Sequence, residues 1–153
     1  NKVGEGKYEP LAQKNVDTGL GLERVIGLLQ GKSNVYETEL FKDVIEKIEE
    51  LSTNPNINSS RIIADHLRTA MFMIIDSIRP SNVEQGYVLR RLLRRAVRHG
   101  RKLGINHEFL ALLVDEVISI MKEFYPYLLE KADYIKNLVT IEERKFFRYC
   151  YNL

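Results

Sequence analysis

The segment GYVLRRLLRRAVRHGRKLG, Gly86 to Gly104, constrains the chain more than any other. At about 100° per residue, with Arg90 taken as zero, Arg91, Arg94, Arg95, Arg98, Arg101 and Lys102 fall within an arc of roughly 140°. Leu89, Leu92, Leu93, Ala96, Val97 and Leu103 take the opposite side. One helix therefore carries an apolar core stripe and a continuous cationic stripe. From Val83 to Gly104 the only acid is Glu84, whereas the flanking segments carry an excess of Asp and Glu.

Most charged helix faces are solvated surface, and Lys–Glu mixtures suit that role because alternating charge avoids self-repulsion. Here all but one of the cations are Arg and no acid interleaves them. That pattern favours contact with a phosphate backbone, with an affinity that falls as salt rises because bound counterions are released. Pairing with acids of neighbouring helices, such as Asp65 or Glu116, is a further reading for the arginines nearest the core. Asn82 stands at the entrance of this helix. It is either a first-turn residue that helps the cap, or a short side chain with both donor and acceptor that reaches a base edge in the wide, shallow minor groove of A-form RNA.

The rest of the chain supplies a core for that helix to join. Its 153 residues are 44% hydrophobic and 29% charged, ordinary usage for one globular domain. The net charge of +2 implies no nucleic-acid partner by itself, so distribution carries the argument. A single cysteine, Cys150, and three scattered histidines offer neither an internal disulfide nor a zinc spacing, which predicts a reducing compartment and no metal. No apolar run approaches the roughly 18 residues of a membrane span, and the start lacks signal-peptide character, which predicts a cytoplasmic chain without a membrane partner.

Residues 1 to 18 carry the only strand signals, a GEG turn and an extended return from Tyr8 to Val16. Beyond Leu20 the periodicity predicts helices over 20–30, ended by Gly31, and over 36–51. The polar run STNPNINSS predicts a loop, and Ser60 opens a helix to Ile78, ended by Arg79-Pro80. Ser81-Asn82-Val83-Glu84 matches a capping box and predicts a helix from near Asn82 to Leu103, with Gly104 at its end. Helices over 107–124 and 129–150 follow, with Pro126 between them. The expected fold is mostly α, a helical bundle behind a short N-terminal β-hairpin. With no initial Met, and with FFRYCYNL still apolar at helical spacing, the chain reads as a fragment of a longer one.

VDTGLGLER, Val16 to Arg24, is the second informative stretch. It is not a P-loop, since the Gly-Lys-Ser/Thr ending is missing, nor a dinucleotide fingerprint, since Arg24 occupies the third glycine position. Asp17 or Thr18 can cap a helix whose first turn holds Gly19 and Gly21, where a flat ring can lie against the backbone without a Cβ in the way. Arg24 can present a planar fork to a phosphate. For a bare GxG, a turn that merely avoids strain is the better reading; the acid before and the Glu-Arg after weaken it.

DTGLGLER resembles motif 3 of the class II aminoacyl-tRNA synthetases, and with Asp-Thr in front it is similar to the alanyl-tRNA synthetase family in particular. The likeness continues in order through NVYETELF at 34–41, the long block from Arg61 to Gly104, and IEERKF at 141–146. It covers residues 15 to 148 and implies an ATP-dependent ligase that joins alanine to its tRNA. In such enzymes the alanine carboxylate attacks the α-phosphate of ATP, giving alanyl-adenylate and pyrophosphate, and a terminal ribose hydroxyl of the tRNA then takes the alanyl group. The resemblance implies that Arg24 holds the γ-phosphate of a bent ATP, with Mg2+ accompanying the nucleotide. Gly19 and Gly21 would form the floor under the adenine, and Glu23 would orient Arg24 or line the ATP site. Asp17 would pair with the ammonium of alanine, with Gly19 beside it, which makes Asp17 and Arg24 the candidate catalytic residues.

The resemblance also divides the chain. Residues 1–31 would be the C-terminal edge of the catalytic domain, the hairpin being a remnant of its sheet, and 32–153 part of the helical domain that recognises the tRNA(Ala) acceptor stem. The identity element there is a G·U wobble pair, whose guanine 2-amino group is left unpaired in the minor groove. Asn82 inherits the task of reading it. Arg94 is the first candidate for a stem contact, followed by Arg95, Arg98 and Arg91. Motifs 1 and 2, the editing domain with its metal ligands, and a second recognition residue, an Asp, are not found in these residues. The parent is therefore expected to be an alanine-tRNA ligase, while this piece alone is expected to make no adenylate and to hold no cofactor, with no protein partner inferred. The alternative is a freestanding helical RNA- or DNA-binding module, which gives no reason for DTGLGLER.

Overall fold

The computed structural model describes residues 2–13, 15, 16 and 18–151. An antiparallel hairpin comes first, β1 (Lys2–Gly4) and β2 (Lys7–Tyr8), with Lys2 opposite Tyr8 and Gly4 opposite Lys7. Helices α1 (Leu22–Leu29), α2 (Lys42–Leu51), α3 (Ile57–Ile75), α4 (Glu84–Lys102), α5 (Leu110–Met121), α6 (Tyr127–Glu130) and α7 (Ala132–Tyr151) follow, with a 3-10 turn at Val35–Glu37 before α2. The mostly helical fold with a short N-terminal hairpin is as expected, although among the described residues the extended return is confined to Lys7–Tyr8. Among the described residues no helix is long and apolar enough to cross a membrane.

Burial, not charge, orders the arginine-rich helix. Helices α3 and α4 pack together most extensively, α7 lies against both α4 and α5, and α2 closes on α3 and α5. Ile63, Leu67 and Met71 of α3, Leu89, Leu93 and Val97 of α4, Leu113 of α5 and Val139 of α7 are all fully buried. Each such side chain contributes about 1.5–3 kcal/mol relative to exposure. The apolar stripe read from the sequence is thus the face that α4 turns inward.

Three helices end in the same closure. After α1, α3 and α4, a residue in the left-handed region lets two successive amides reach back: Gly31 (φ 63), Ser77 (φ 68) and Gly104 (φ 80). Lys32 N donates to Gly27 O, Ile78 N to Met73 O and Ile105 N to Gly100 O, at 2.8, 3.1 and 3.0 Å. Gly31 and Gly104 end their helices as expected. The end of α3 departs from expectation: it stops at Ile75, three residues short of Ile78, because Ser77 closes it before Pro80 is reached.

Helix starts depart further. Asn56 caps α3, its Oδ1 accepting from Ser59 N at 3.0 Å, so the last residues of the polar run belong to the helix. The expected helix over 36–51 is split, because Thr38 and Phe41 separate the 3-10 turn from α2. The capping box at Ser81 is not formed: α4 begins at Glu84, with Val83 at the cap position and no side-chain cap bond. Ser81 is used elsewhere. Its hydroxyl donates to Val83 O at 2.9 Å, and its amide donates to Gly86 O at 3.0 Å. A Cβ on Gly86 would sit 2.5 Å from Arg79 O, so only glycine lets residues 79–81 cross the first turn of α4.

Candidate nucleic-acid interface

That crossing places Asn82 in the exposed loop ahead of α4 rather than in its first turn. Along the solvent side of α4, Arg91, Arg95, Arg98 and Lys102 are exposed. Together with Arg94, His99 and Phe146 of α7 they line an open groove of about 480 Å³. His99 is held below its usual pKa, first by burial and then by Lys102, Arg95, His66 and Arg98, and its Nδ1 lies 3.0 Å from Ser59 Oγ. It stays neutral at pH 7, so the arginines and Lys102 carry the positive charge of the groove.

The inner edge of the arc is committed inward. Arg94 Nε donates to Glu142 Oε1 at 2.7 Å, and its guanidinium lies 5.6 Å from the centre of the Phe146 ring. Arg90 Nε lies 3.3 Å from the same oxygen, held by charge without an aligned hydrogen bond. The terminal nitrogens of Arg90 donate to Asn82 Oδ1 and, at 3.4 Å, to Pro80 O. The internal acid is thus Glu142 of α7, not Asp65 or Glu116. Asp65 pairs instead with its neighbour His66 at 3.1 Å. Arg94, the first sequence candidate for a stem contact, spends its Nε on Glu142 and keeps its side chain 34% exposed, whereas Arg91, Arg95 and Arg98 lie open.

The glycine segment is arranged differently. Asp17 lies outside the described residues. Thr18 does not cap α1; Gly21 occupies the cap position with φ −68 and no side-chain bond, so both glycines precede the helix. Neither glycine has positive φ, so the turn does not need them for strain. What they leave is open backbone: among the described residues nothing lies within 4 Å of a Cβ built on Gly19, and one on Gly21 would meet only the side chain of Arg24, at 3.5 Å. Arg24 is exposed. Glu23, expected to orient Arg24 or line the nucleotide site, gives its carboxylate to Arg68 of α3 at 2.8 Å. Arg68 in turn stacks 4.1 Å above the Phe41 ring, so Glu23 ties α1 to the bundle. A neighbouring concavity of about 930 Å³ is rimmed by Glu23, Asp43, Asp76 and Glu123 around Arg68, the wrong sign for phosphate.

Sequence reasoning missed Glu142, Glu143, Arg90 as a link, and Gly86. A signal for the glutamates was present. Ile135, Val139, Phe146 and Phe147 recur at helical spacing, and Glu142 and Glu143 fall where that stripe continues. An acid at a core position needs a partner.

The described residues thus offer a cationic helix face with a loop amide beside it and, on a separate segment, an open glycine backbone with an exposed guanidinium. The profile described as tRNA synthetases class II (A) matches residues 1–150, and the chain belongs to that family. Within it, the chain is similar to enzymes named alanine–tRNA ligase: 50% identical over 151 residues to that of Borrelia hermsii, 49% over 148 to that of Clostridioides difficile, and 48% over 153 to that of Enterococcus faecalis. These alignments cover 94%, 93% and 95% of this chain but 26%, 17% and 17% of those proteins. The chain thus spans about a quarter or less of the relatives' length.

Proposed function

We propose that this chain is the part of an alanine-tRNA ligase that joins motif 3 of the catalytic domain, residues 1–31, to the helical region that binds the tRNA(Ala) acceptor stem, residues 32–153. The carrying observation is the row of open cations Arg91, Arg95, Arg98 and Lys102 on α4 with the exposed Asn82 at its head. The cations hold phosphates without regard to sequence, and the amide reads a base edge. Arg94 contributes from the inner edge while anchored on Glu142. On the catalytic side, Arg24 would hold the terminal phosphate of ATP and its Mg2+, and the open backbone at Gly19 and Gly21 has room for a flat ring. Asp17 would take the amino group of alanine. The nucleotide supplies the phosphoanhydride that activates the amino-acid carboxylate.

Binding of matched acceptor-stem hairpins that differ only in G·U against G·C tests this reading. A single base-edge contact is worth about 1–3 kcal/mol, so the wild type is expected to prefer G·U by about 5- to 150-fold. Asn82→Ala should lose the preference and keep the salt dependence. Joint replacement of Arg91, Arg95 and Arg98 by Ala should weaken both hairpins alike and flatten the salt slope by about one for each phosphate no longer neutralised. Equal binding of the two hairpins by the wild type would remove the role of Asn82.

A further inference from the structure

We propose that Glu142 is a positioning residue for Asn82 and acts through Arg90, so that a buried carboxylate on α7 sets the orientation of the amide that meets the acceptor stem. The inference rests on the reading of Asn82 as the base-reading residue. Arginine has only donors, so the atom of Asn82 that faces Arg90 is the oxygen, whose second lone pair remains to accept from a guanine 2-amino group, and the amide NH2 is turned away. A half-turn of the amide would set donors against donors. An exposed loop asparagine left to itself has no such preference.

Arg90 is itself held at three points. Its side chain is 21% exposed, and its two terminal nitrogens straddle the loop, one on Asn82 Oδ1 and the other on Pro80 O. A rigid fork is suited to hold two points of one loop at once. The third point is Glu142, 2% exposed, whose Oε1 lies 3.3 Å from Arg90 Nε. The same oxygen receives Arg94 Nε at 2.7 Å, so one atom fixes the stems of two neighbouring cations that would otherwise repel each other. Gly86 completes the arrangement by letting Arg79–Ser81 cross α4, which puts Pro80 and Asn82 within reach of Arg90. A carboxylate that served packing alone would not need its cation to end on the recognition loop.

The test uses the full chain, 15N-labelled, with the Asn82 side-chain NH2 pair assigned by its loss in Asn82→Ala. In wild type that pair should be resolved from ordinary exposed asparagines. Glu142→Gln, which keeps the shape and removes the charge, should move it toward their position and speed its exchange with water, while the backbone spectrum shows the fold intact. The G·U over G·C ratio should fall several-fold, with little change in salt slope because Arg91, Arg95 and Arg98 are untouched. In the Asn82→Ala background Glu142→Gln should change the ratio no further. Should Glu142→Gln not fold, Arg90→Lys, which keeps the charge and loses the fork, is read in the same two ways. An unmoved Asn82 amide, or an equal loss of affinity for both hairpins at constant ratio, would overturn the proposal. Equal binding of both hairpins by the wild type, with the amide still moved by Glu142→Gln, would sink the base-reading role itself while leaving the Glu142–Arg90–Asn82 link in place as a purely local one.

Discussion

Helix α7 offers two successive carboxylates to two different seams, and the fold compensates them by different means. Glu142 faces α4 and meets two guanidinium groups through one oxygen. Glu143 faces α5 and accepts from the backbone amides of Phe109 and Leu110, at 3.2 and 3.3 Å. Both are almost fully buried. Helix α5 has no side-chain cap of its own, and Glu143 supplies one from another helix. Whole cations anchor the first carboxylate, and these are the arginines that border the open α4 face. Backbone amides hold the second, and the one cation acting on it, Arg144, does so from the exposed rim, so its own charge is less fully compensated. The α4 seam is where recognition can be built, and the α5 seam is where pH enters.

The sharpest way to break this contrast is to delete the first carboxylate. Glu142→Ala leaves Arg90 and Arg94 half-buried without their acid. Removing one partner of a buried pair costs about 3–5 kcal/mol. Because Arg90 and Arg94 are 21% and 34% exposed, the expectation is the lower part of that range, about 3–4 kcal/mol, read by chemical denaturation at constant pH. A loss within experimental error would mean that the two guanidinium groups are solvated well enough to need no acid, and the distinction between the seams would fail.

The second carboxylate predicts a dependence on pH. Burial pushes Glu143 up from 4.5 to about 7; the amides of Phe109 and Leu110 pull it back, Glu108 pushes it up and Arg144 pulls it down. Between those two values the unfolded chain has released the proton and the folded chain still holds it, so stability falls as pH rises through the window. The protein should be about 2–3 kcal/mol less stable at pH 8 than at pH 5 from this group. Glu143→Gln has no proton to lose and should flatten that fall. A wild type whose stability is constant from pH 5 to 8, or a fall that persists unchanged in Glu143→Gln, would place the proton elsewhere.

How legible this was in the sequence varies along α4 and α7. The two-faced character of α4 was readable because apolar and cationic residues separate cleanly at helical spacing, and Gly31 and Gly104 marked real helix ends. Local signals failed where the tertiary structure claimed the same atoms. Ser81 has the chemistry of a capping box, but its hydroxyl and amide serve the loop that crosses Gly86. Ser77 closes α3 in a conformation that sequence rules assign to glycine, ahead of the proline expected to end it. For the candidate site, exposure of Arg91, Arg95 and Arg98 followed from the arc. The inward turn of Arg94 did not, because its partner lies 48 residues away on a helix whose role depends on how α7 packs. Such pairings are properties of the assembled bundle, and periodicity within one helix cannot supply them.

The smallest expected effect concerns the rim of the α5 seam. Glu108 and Arg144 pair at 2.7 Å, with side chains 39% and 55% exposed, so their attraction is largely screened by water and salt. Their influence on Glu143 is more informative than their own contribution. Glu108 raises the pKa of Glu143 and Arg144 lowers it. Glu108→Gln should therefore move the pH-dependent fall in stability to lower pH, and Arg144→Gln should move it to higher pH, with the two curves bracketing the wild type. Added salt should draw all three together, since rim charges are screened while the desolvation of Glu143 is not. If instead both variants shifted the curve in the same direction, the pair would be acting by holding α7 against the start of α5, and the amide cap rather than the nearby charges would govern when Glu143 gives up its proton.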